Sequence, residues 1–168
     1  MTHLKTLVHA LVSNRLDYCN SVMCGASVAV IRKMQMVLNA SARLITGNSR
    51  YDHITPALRQ LHWLPIKQRI QYKVALLVYK CLHNCSPDYL SDFCVPVSSL
   101  PWHRALRSAD HGDIVQPRLR THFGARSFRV SAPAIWNSLP PSVRDHSLTL
   151  DCFKNALKTH LFNIAYMH

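Results

Sequence analysis

Glutamate is absent from this chain. All eight acidic residues are aspartates, set against 20 lysines and arginines, for a net charge of +12 over 168 residues. So few acids cannot neutralise the cations internally, and by charge alone a polyanionic partner such as nucleic acid is the natural expectation, with an acidic membrane surface second. The aspartates are dispersed, with no two adjacent. A two-metal polymerase site needs paired carboxylates to hold its ions at the attacking and leaving oxygens, and none is written here. The glycines are four, at positions 25, 47, 112 and 124, too scattered for a phosphate-cradling loop. There is no G-x-S-x-G elbow either. No apolar run approaches the roughly 20 residues of a transmembrane helix. Met1–Asn14 has one lysine and a short apolar stretch broken by His9, unlike a secretory signal. These absences argue against an enzyme active site and a membrane partner. The expected setting is intracellular, in cytoplasm or nucleus.

The six cysteines, at 19, 24, 81, 85, 94 and 152, are an even number. A chain that is 48% hydrophobic can bury roughly 70% of its unfolded surface without disulfide staples. Cys81, His83, Cys85 and Cys94 lie close in sequence, and on a helix Cys81 and Cys85 would share a face as half of a zinc site. The C-x2-C pairs of zinc ribbons and the spacing of zinc knuckles are missing, however. Cys81 also falls on an apolar face. Buried thiols are therefore expected, with no metal and no cofactor.

Apolar spacing dominates what is present. Residues 50–89 carry two helical patterns joined at Trp63-Leu64-Pro65. Thr55 is the expected cap of the first, with Pro56 at its first helical position. From Ile66 the second places Ile66, Ile70, Val74, Leu77 and Cys81 on one face, and Val78, Leu82, Tyr72 and Tyr79 widen it. Such a helix belongs in the middle of a bundle. Upstream, Leu4, Leu7, Val8, Leu11 and Val12 form a short amphipathic helix with no cap before it, as though the chain had been cut from something longer. Residues 13–20 read as its end and a turn. A helix over 28–46 follows, from Ser27 to a stop at Gly47-Asn48. Ser86 is the expected cap of a short helix near Pro87–Phe93.

The second half is less regular. Residues 95–113 have no sustained period and read as a linker. Residues 114–120 have the look of a short strand interrupted at Pro117, and 124–130 that of a strand or a helix start. A helix beginning at Ser131-Ala132-Pro133 and carrying Ile135 and Trp136 stops at Leu139-Pro140-Pro141. The last helix, about 149–163, is capped by Thr149 and shows Leu150, Phe153, Leu157 and Leu161 on one face. The expectation is a mainly α fold: a helical bundle over 1–94, a linker over 95–113, and a region over 114–168 with short strands and a final helix.

The basic residues fall in stripes. Arg32 and Arg43 line one helix, and Arg69, Lys73 and Lys80 line the next. Arg104, Arg107, Arg118, Arg120, Arg126 and Arg129 crowd the second half. Arginine outnumbers lysine, which suits bidentate phosphate contacts. Taken one at a time, each cation is adequately explained as part of a solvated helix face. Taken together they form a candidate nucleic-acid surface of Arg32, Arg43, Arg69, Lys73, Lys80, Arg104 and Arg107. Trp63, Trp102 and Tyr51 lie near basic residues as candidates for base stacking, while Trp136 reads as core.

Several segments, in order, resemble one family. They are L-D-Y-C-N (16–20), D-H-I-T-P (52–56), L-H-W-L-P-I-K-Q-R-I (61–70), K-V-A-L-L-V-Y-K-C-L-H (73–83), P-D-Y-L (87–90), L-R-S (106–108), W-N-S-L-P (136–140) and F-K-N-A-L-K-T-H-L-F (153–162). The chain from about Thr6 to Phe162 resembles the C-terminal part of the reverse-transcriptase polyprotein of non-LTR (LINE, jockey-like and chicken-repeat-like) retrotransposons. The resemblance implies a thumb and post-thumb position, with the paired-aspartate motif of the RNA-directed DNA polymerase upstream and missing. It implies a non-catalytic fragment that contacts template RNA, or an RNA/DNA hybrid, and primer. The chain departs from the pattern at Cys81 and Cys85, where small or apolar residues are usual. It departs again at His122–Arg126, where the pattern tends to read Y-G-D-R. The rival expectation is a host-adopted or non-functional remnant acting, if at all, as a protein-interaction module. A small zinc-dependent nucleic-acid binder is a third. Apolar surface left exposed in an isolated thumb would also favour self-association.

Overall fold

A computed structural model of the chain describes residues 2–100, 112–118 and 124–167. It is mainly helical, with no strand among the described residues. The chain divides into two compact units: residues 1–70 with 161–168, and residues 71–160. They interleave in sequence rather than parting at 95–113, and each division point lies inside a long helix.

The first unit opens with α1 (Thr2–Val8), one π-helical turn (His9–Ser13) and α2 (Asn14–Asp17). The helical path thus runs on to Asp17 where a helix end was expected, and it breaks at Cys19, whose φ is +52°. Val8 and Ser13 are buried, whereas Leu4, Leu7 and Leu11 are exposed. The expected apolar face of this segment therefore lies largely at the surface. α3 spans Val28–Thr46, as its flanking residues predict. Gly47 ends it with a φ of +74°, its N–H donating to the Arg43 carbonyl at 2.8 Å. That conformation is one only glycine adopts at no steric cost.

α4 (Ile54–Gln60) begins one residue before the expected Thr55 cap, after His53. Pro56 is thus the third helical residue rather than the first, though still within the turn where a missing N–H costs no intrahelical bond. The corner after α4 is closed by His62 at φ +52°. The Trp63 N–H donates to the Leu58 carbonyl at 2.9 Å and the His62 N–H to that of Arg59 at 3.0 Å. This doubly bonded left-handed stop turns the chain sharply and directs Trp63 inward. α5 then runs over Ile66–Leu82. The first-unit core gathers Leu38, Ala42, Ala57, Leu58, Trp63, Ile66, Ile70 and Leu161. The Tyr166 hydroxyl donates to the Trp63 carbonyl at 2.6 Å. Burial pushes that phenol up to about 12, with Arg69 and Arg59 pulling the other way.

In the second unit, α5 ends by the same device. Asn84 stands at φ +54°, and the Cys85 N–H donates to the Lys80 carbonyl at 2.8 Å. α6 (Asp88–Ser91) is a single turn; α7 covers Phe128–Asn137 and α8 covers Leu150–Tyr166. The Thr149 hydroxyl accepts from the Cys152 N–H at 3.4 Å, the cap expected for α8. α7 starts earlier than expected, so Pro133 lies inside it. The Arg129 carbonyl has no proline N–H to accept there. The core is aromatic: Phe153 stacks on Tyr79 at 4.3 Å and lies 5.9 Å from Trp136. The Tyr79 hydroxyl donates to the Leu148 carbonyl at 2.5 Å.

The expected strand at 114–120 is reduced to one antiparallel bridge between Pro96 and Ile114. On its other side Ile114 meets a side chain: its N–H donates to Asn137 Oδ1 at 3.0 Å, and Asn137 Nδ2 donates to its carbonyl at 2.9 Å. Trp136 Nε1 donates to the Gly112 carbonyl at 3.0 Å. Two adjacent α7 residues thus hold residues 112–114 in place. Arg144, buried, pairs with Asp113.

Candidate nucleic-acid interface

Of the seven sequence-predicted binding residues, Arg32, Arg43 and Arg69 fall in the first unit and Lys73 and Lys80 in the second. Arg104 and Arg107 lie outside the described residues, as do Trp102 and Arg120.

Arg32 is exposed on α3, where it lines a shallow groove of about 370 Å³ with Gln35, Asn39, Pro65 and Lys67. The groove is built by one glutamine. Gln35 Oε1 accepts the Ile66 N–H at 2.9 Å, and Gln35 Nε2 donates to Asn39 Oδ1 at 2.8 Å. The Ile66 N–H is one of the orphan donors at the start of α5, and Gln35 satisfies it from another helix. That bond holds the first turn of α5 against α3 and sets Lys67 across the groove from Arg32. Lys67 was not singled out by the apolar spacing. Its signal is its place directly after Pro65 and Ile66, at a helix start facing away from the core. The partial positive charge of a helix N-terminus adds to the two side-chain cations. The groove can accept an anion such as a phosphate.

The other two sequence-predicted arginines of this unit are used within the fold. Arg43 Nε donates to the Ser49 carbonyl at 3.2 Å, and its Nη2 donates to that of Asp52 at 3.3 Å. It fastens the connection between α3 and α4. Arg69 is almost enclosed. Its Nε donates to the Leu64 carbonyl at 2.8 Å, and its Nη1 reaches both Asp17 oxygens at 3.0 and 2.8 Å. Its guanidinium lies 5.8 Å from the Trp63 ring centre. Only 12% of its side chain is accessible. The expectation of a phosphate contact at Arg69 gives way to a structural role, because the side chain is nearly enclosed and its Nε and Nη1 are already spent on a carbonyl and a carboxylate.

Lys73 is exposed and Lys80 half-buried on α5, and neither makes an ion pair among the described residues. Arg118, Arg126 and Arg129 are exposed. Among the aromatic candidates, Trp63 is buried at 4% exposure beneath Arg69, so it cannot stack on a base. Tyr51 is 83% exposed, with the Arg50 guanidinium 4.9 Å from its ring centre. Trp136 is core, as its spacing implied.

The helical zinc half-site at Cys81 and Cys85 is not assembled. α5 stops at Leu82, and the left-handed Asn84 carries Cys85 off the helix. The exposed Cys85 thiol donates to the His83 carbonyl at 3.3 Å. Among the described residues, no three His, Cys or Asp side chains cluster to hold a metal. Comparison with known proteins finds no family model, no curated protein and no solved structure that matches the chain.

Proposed function

We propose that the chain is a non-catalytic helical fragment of a non-LTR retrotransposon reverse transcriptase that grips RNA, or an RNA/DNA hybrid, by phosphate contacts. One observation carries the reading: the acids of the first unit are already engaged. That unit has nine lysines and arginines against two aspartates, a net of +7. Asp17 is held by Arg69, and Asp52 Oδ2 accepts the Ser49 N–H at 2.7 Å. The exposed Arg32 and Lys67 therefore line one groove with no acid beside them among the described residues. Phosphate oxygens are the ligands such a pair favours.

Titration of the purified chain with single-stranded RNA between 50 and 200 mM salt tests this. The expected result is a linear fall of log affinity with log salt, each neutralised phosphate adding about 0.7 to the slope on a single strand. Arg32→Ala and Lys67→Ala should each lower the slope by about that amount. Affinity indifferent to salt, or no binding in dilute buffer, overturns the proposal. The proposed origin has its own test: genomic DNA upstream of the Met1 codon should encode paired aspartates in an open or decayed frame.

A second reading, a protein-interaction module, draws on the exposed Met36, Val37 and Leu44 of α3. It predicts a defined protein partner, or self-association, together with indifference to RNA.

A further inference from the structure

The turn between α3 and α4 is fastened from several sides, yet its tip is bare. The Asp52 N–H donates to the Ser49 carbonyl at 3.2 Å, and Asp52 Oδ2 accepts the Ser49 N–H at 2.7 Å. The Tyr51 N–H donates to Ser49 Oγ at 3.4 Å. Arg43 adds its two bonds to the Ser49 and Asp52 carbonyls. Both ends of the four-residue turn are thus pinned, while Arg50 and Tyr51 between them are exposed. Tyr18 and Tyr89 are exposed as well, at 81% and 66%. Of these three rings, only that of Tyr51 has a guanidinium over it among the described residues, that of Arg50. The cation covers one face, and the high exposure of the ring leaves the other face open.

A second cationic groove lies beside this turn. It holds about 490 Å³ and is lined by His53, Thr55, Pro56 and Arg59. His53 is two residues beyond Tyr51, a separation of at most about 7 Å along the chain. Arg59 is exposed and makes no ion pair among the described residues. Thr55 is exposed too and supplies a hydroxyl. The groove shares no residue with the one at Arg32. The nearest acid in sequence, Asp52, has one oxygen committed to the turn.

A ring held out by a fixed turn, next to a cation in a groove, matches the two halves of a nucleotide. An aromatic face takes a base, and an arginine with a hydroxyl takes a phosphate. Bases inside a duplex have both faces covered by their neighbours, so only an unpaired base can use the ring. We propose that Tyr51 and Arg59 form a nucleotide subsite for unpaired strand, with one base stacked on the open face of Tyr51 and an adjoining phosphate beside Arg59 and Thr55. Arg50 backs the ring and adds a cation to the stack. The subsite rests on the nucleic-acid function proposed for the chain, and it adds that the ligand is single-stranded where it meets α4.

The test titrates the full chain with a mixed-sequence single-stranded RNA and with an abasic strand of the same length, which keeps the phosphates and lacks the bases. The intact strand should bind more tightly. Tyr51→Ala should weaken the intact strand by about 5- to 100-fold, the range of one base stack. It should leave the abasic strand and the salt slope unchanged, and Tyr51→Phe should bind as the natural chain does. Arg59→Ala should lower the salt slope on both strands by about 0.7. Equal affinity for the two strands, full binding of the intact strand by Tyr51→Ala, or an unmoved slope in Arg59→Ala overturns the subsite and leaves the phosphate grip at Arg32 and Lys67 standing. Absence of binding to either strand in dilute buffer overturns the grip and the subsite together. Should a variant fail to fold, the comparison of intact and abasic strands on the unsubstituted chain decides alone.

Discussion

The two units spend their charge differently. The first has nine cations and two aspartates; the second has eleven and six, a net of +5. In the first, both acids serve to fasten backbone and helix ends, and the surplus cations face solvent. In the second, an acid neutralises a cation inside the core, Asp113 against the buried Arg144. Net charge alone would rank the units as near equals. Among the described residues, what separates them is one groove of the first unit, lined by the exposed Arg32 and Lys67 and by no acid.

The comparison breaks most sharply at Asp113. Asp113→Ala leaves the Arg144 guanidinium buried and unpaired, with an expected loss of about 3–5 kcal/mol in urea unfolding. A loss under about 1 kcal/mol would mean that the second unit does not depend on internal neutralisation. Next is Arg69→Ala. Its partner Asp17 is half-exposed, so the ion pair is discounted, but two neutral tasks are lost with it, the bond to Leu64 and the cover over Trp63. About 2 kcal/mol is expected. Arg69→Lys should not restore it, because an ammonium cannot reproduce the forked contact. The salt slope for RNA should be unmoved by Arg69→Lys.

Tyr166→Phe removes the donor to the Trp63 carbonyl and should cost about 1 kcal/mol at neutral pH. The same phenol gives a pH signature. Its folded pKa stands above the unfolded value of 10, at about 12. The folded chain therefore holds this proton longer than the unfolded chain. The resulting stability is fully present below pH 10 and is lost as pH rises through about 12. Unfolding followed against alkaline pH should show that loss in the natural chain and a smaller one in Tyr166→Phe. The smallest stability effects belong to Arg32→Ala and Lys67→Ala, within about 0.5 kcal/mol. Those substitutions act on the salt slope instead, and a large stability loss at either would place it among the structural cations with Arg69.

How far the sequence could be read follows the reach of each interaction. α3 is legible to the residue, and α5 at its start only, because Ser27, Gly47 and Pro65 are local signals. The start of α7 is not, since Pro133 invites a helix beginning there. Nothing local reveals that the chain is already helical at Phe128. Arg69 reads as a surface cation because its partner Asp17 is 52 positions away. Trp63 reads as a stacking platform for the same reason: the Tyr166 hydroxyl that meets its carbonyl comes from 103 positions away. The groove at Arg32 was half legible. The arginine stripe was visible, but the bond from Ile66 to Gln35 that brings Lys67 opposite it was not.

The Asn137 carboxamide has one more consequence. It copies the donor and acceptor of a peptide group, and so acts as a strand neighbour one residue wide. The N–H and carbonyl of Ile114 are thus served by an amide borrowed from a helix, while its neighbours Asp113 and Val115 bond Val97 and Val95 across the bridge on the other edge. A lone extended residue is an invitation to foreign chains seeking a ladder to join. Here the vacancy is filled from within, which leaves no rung at this point onto which an aggregate could build.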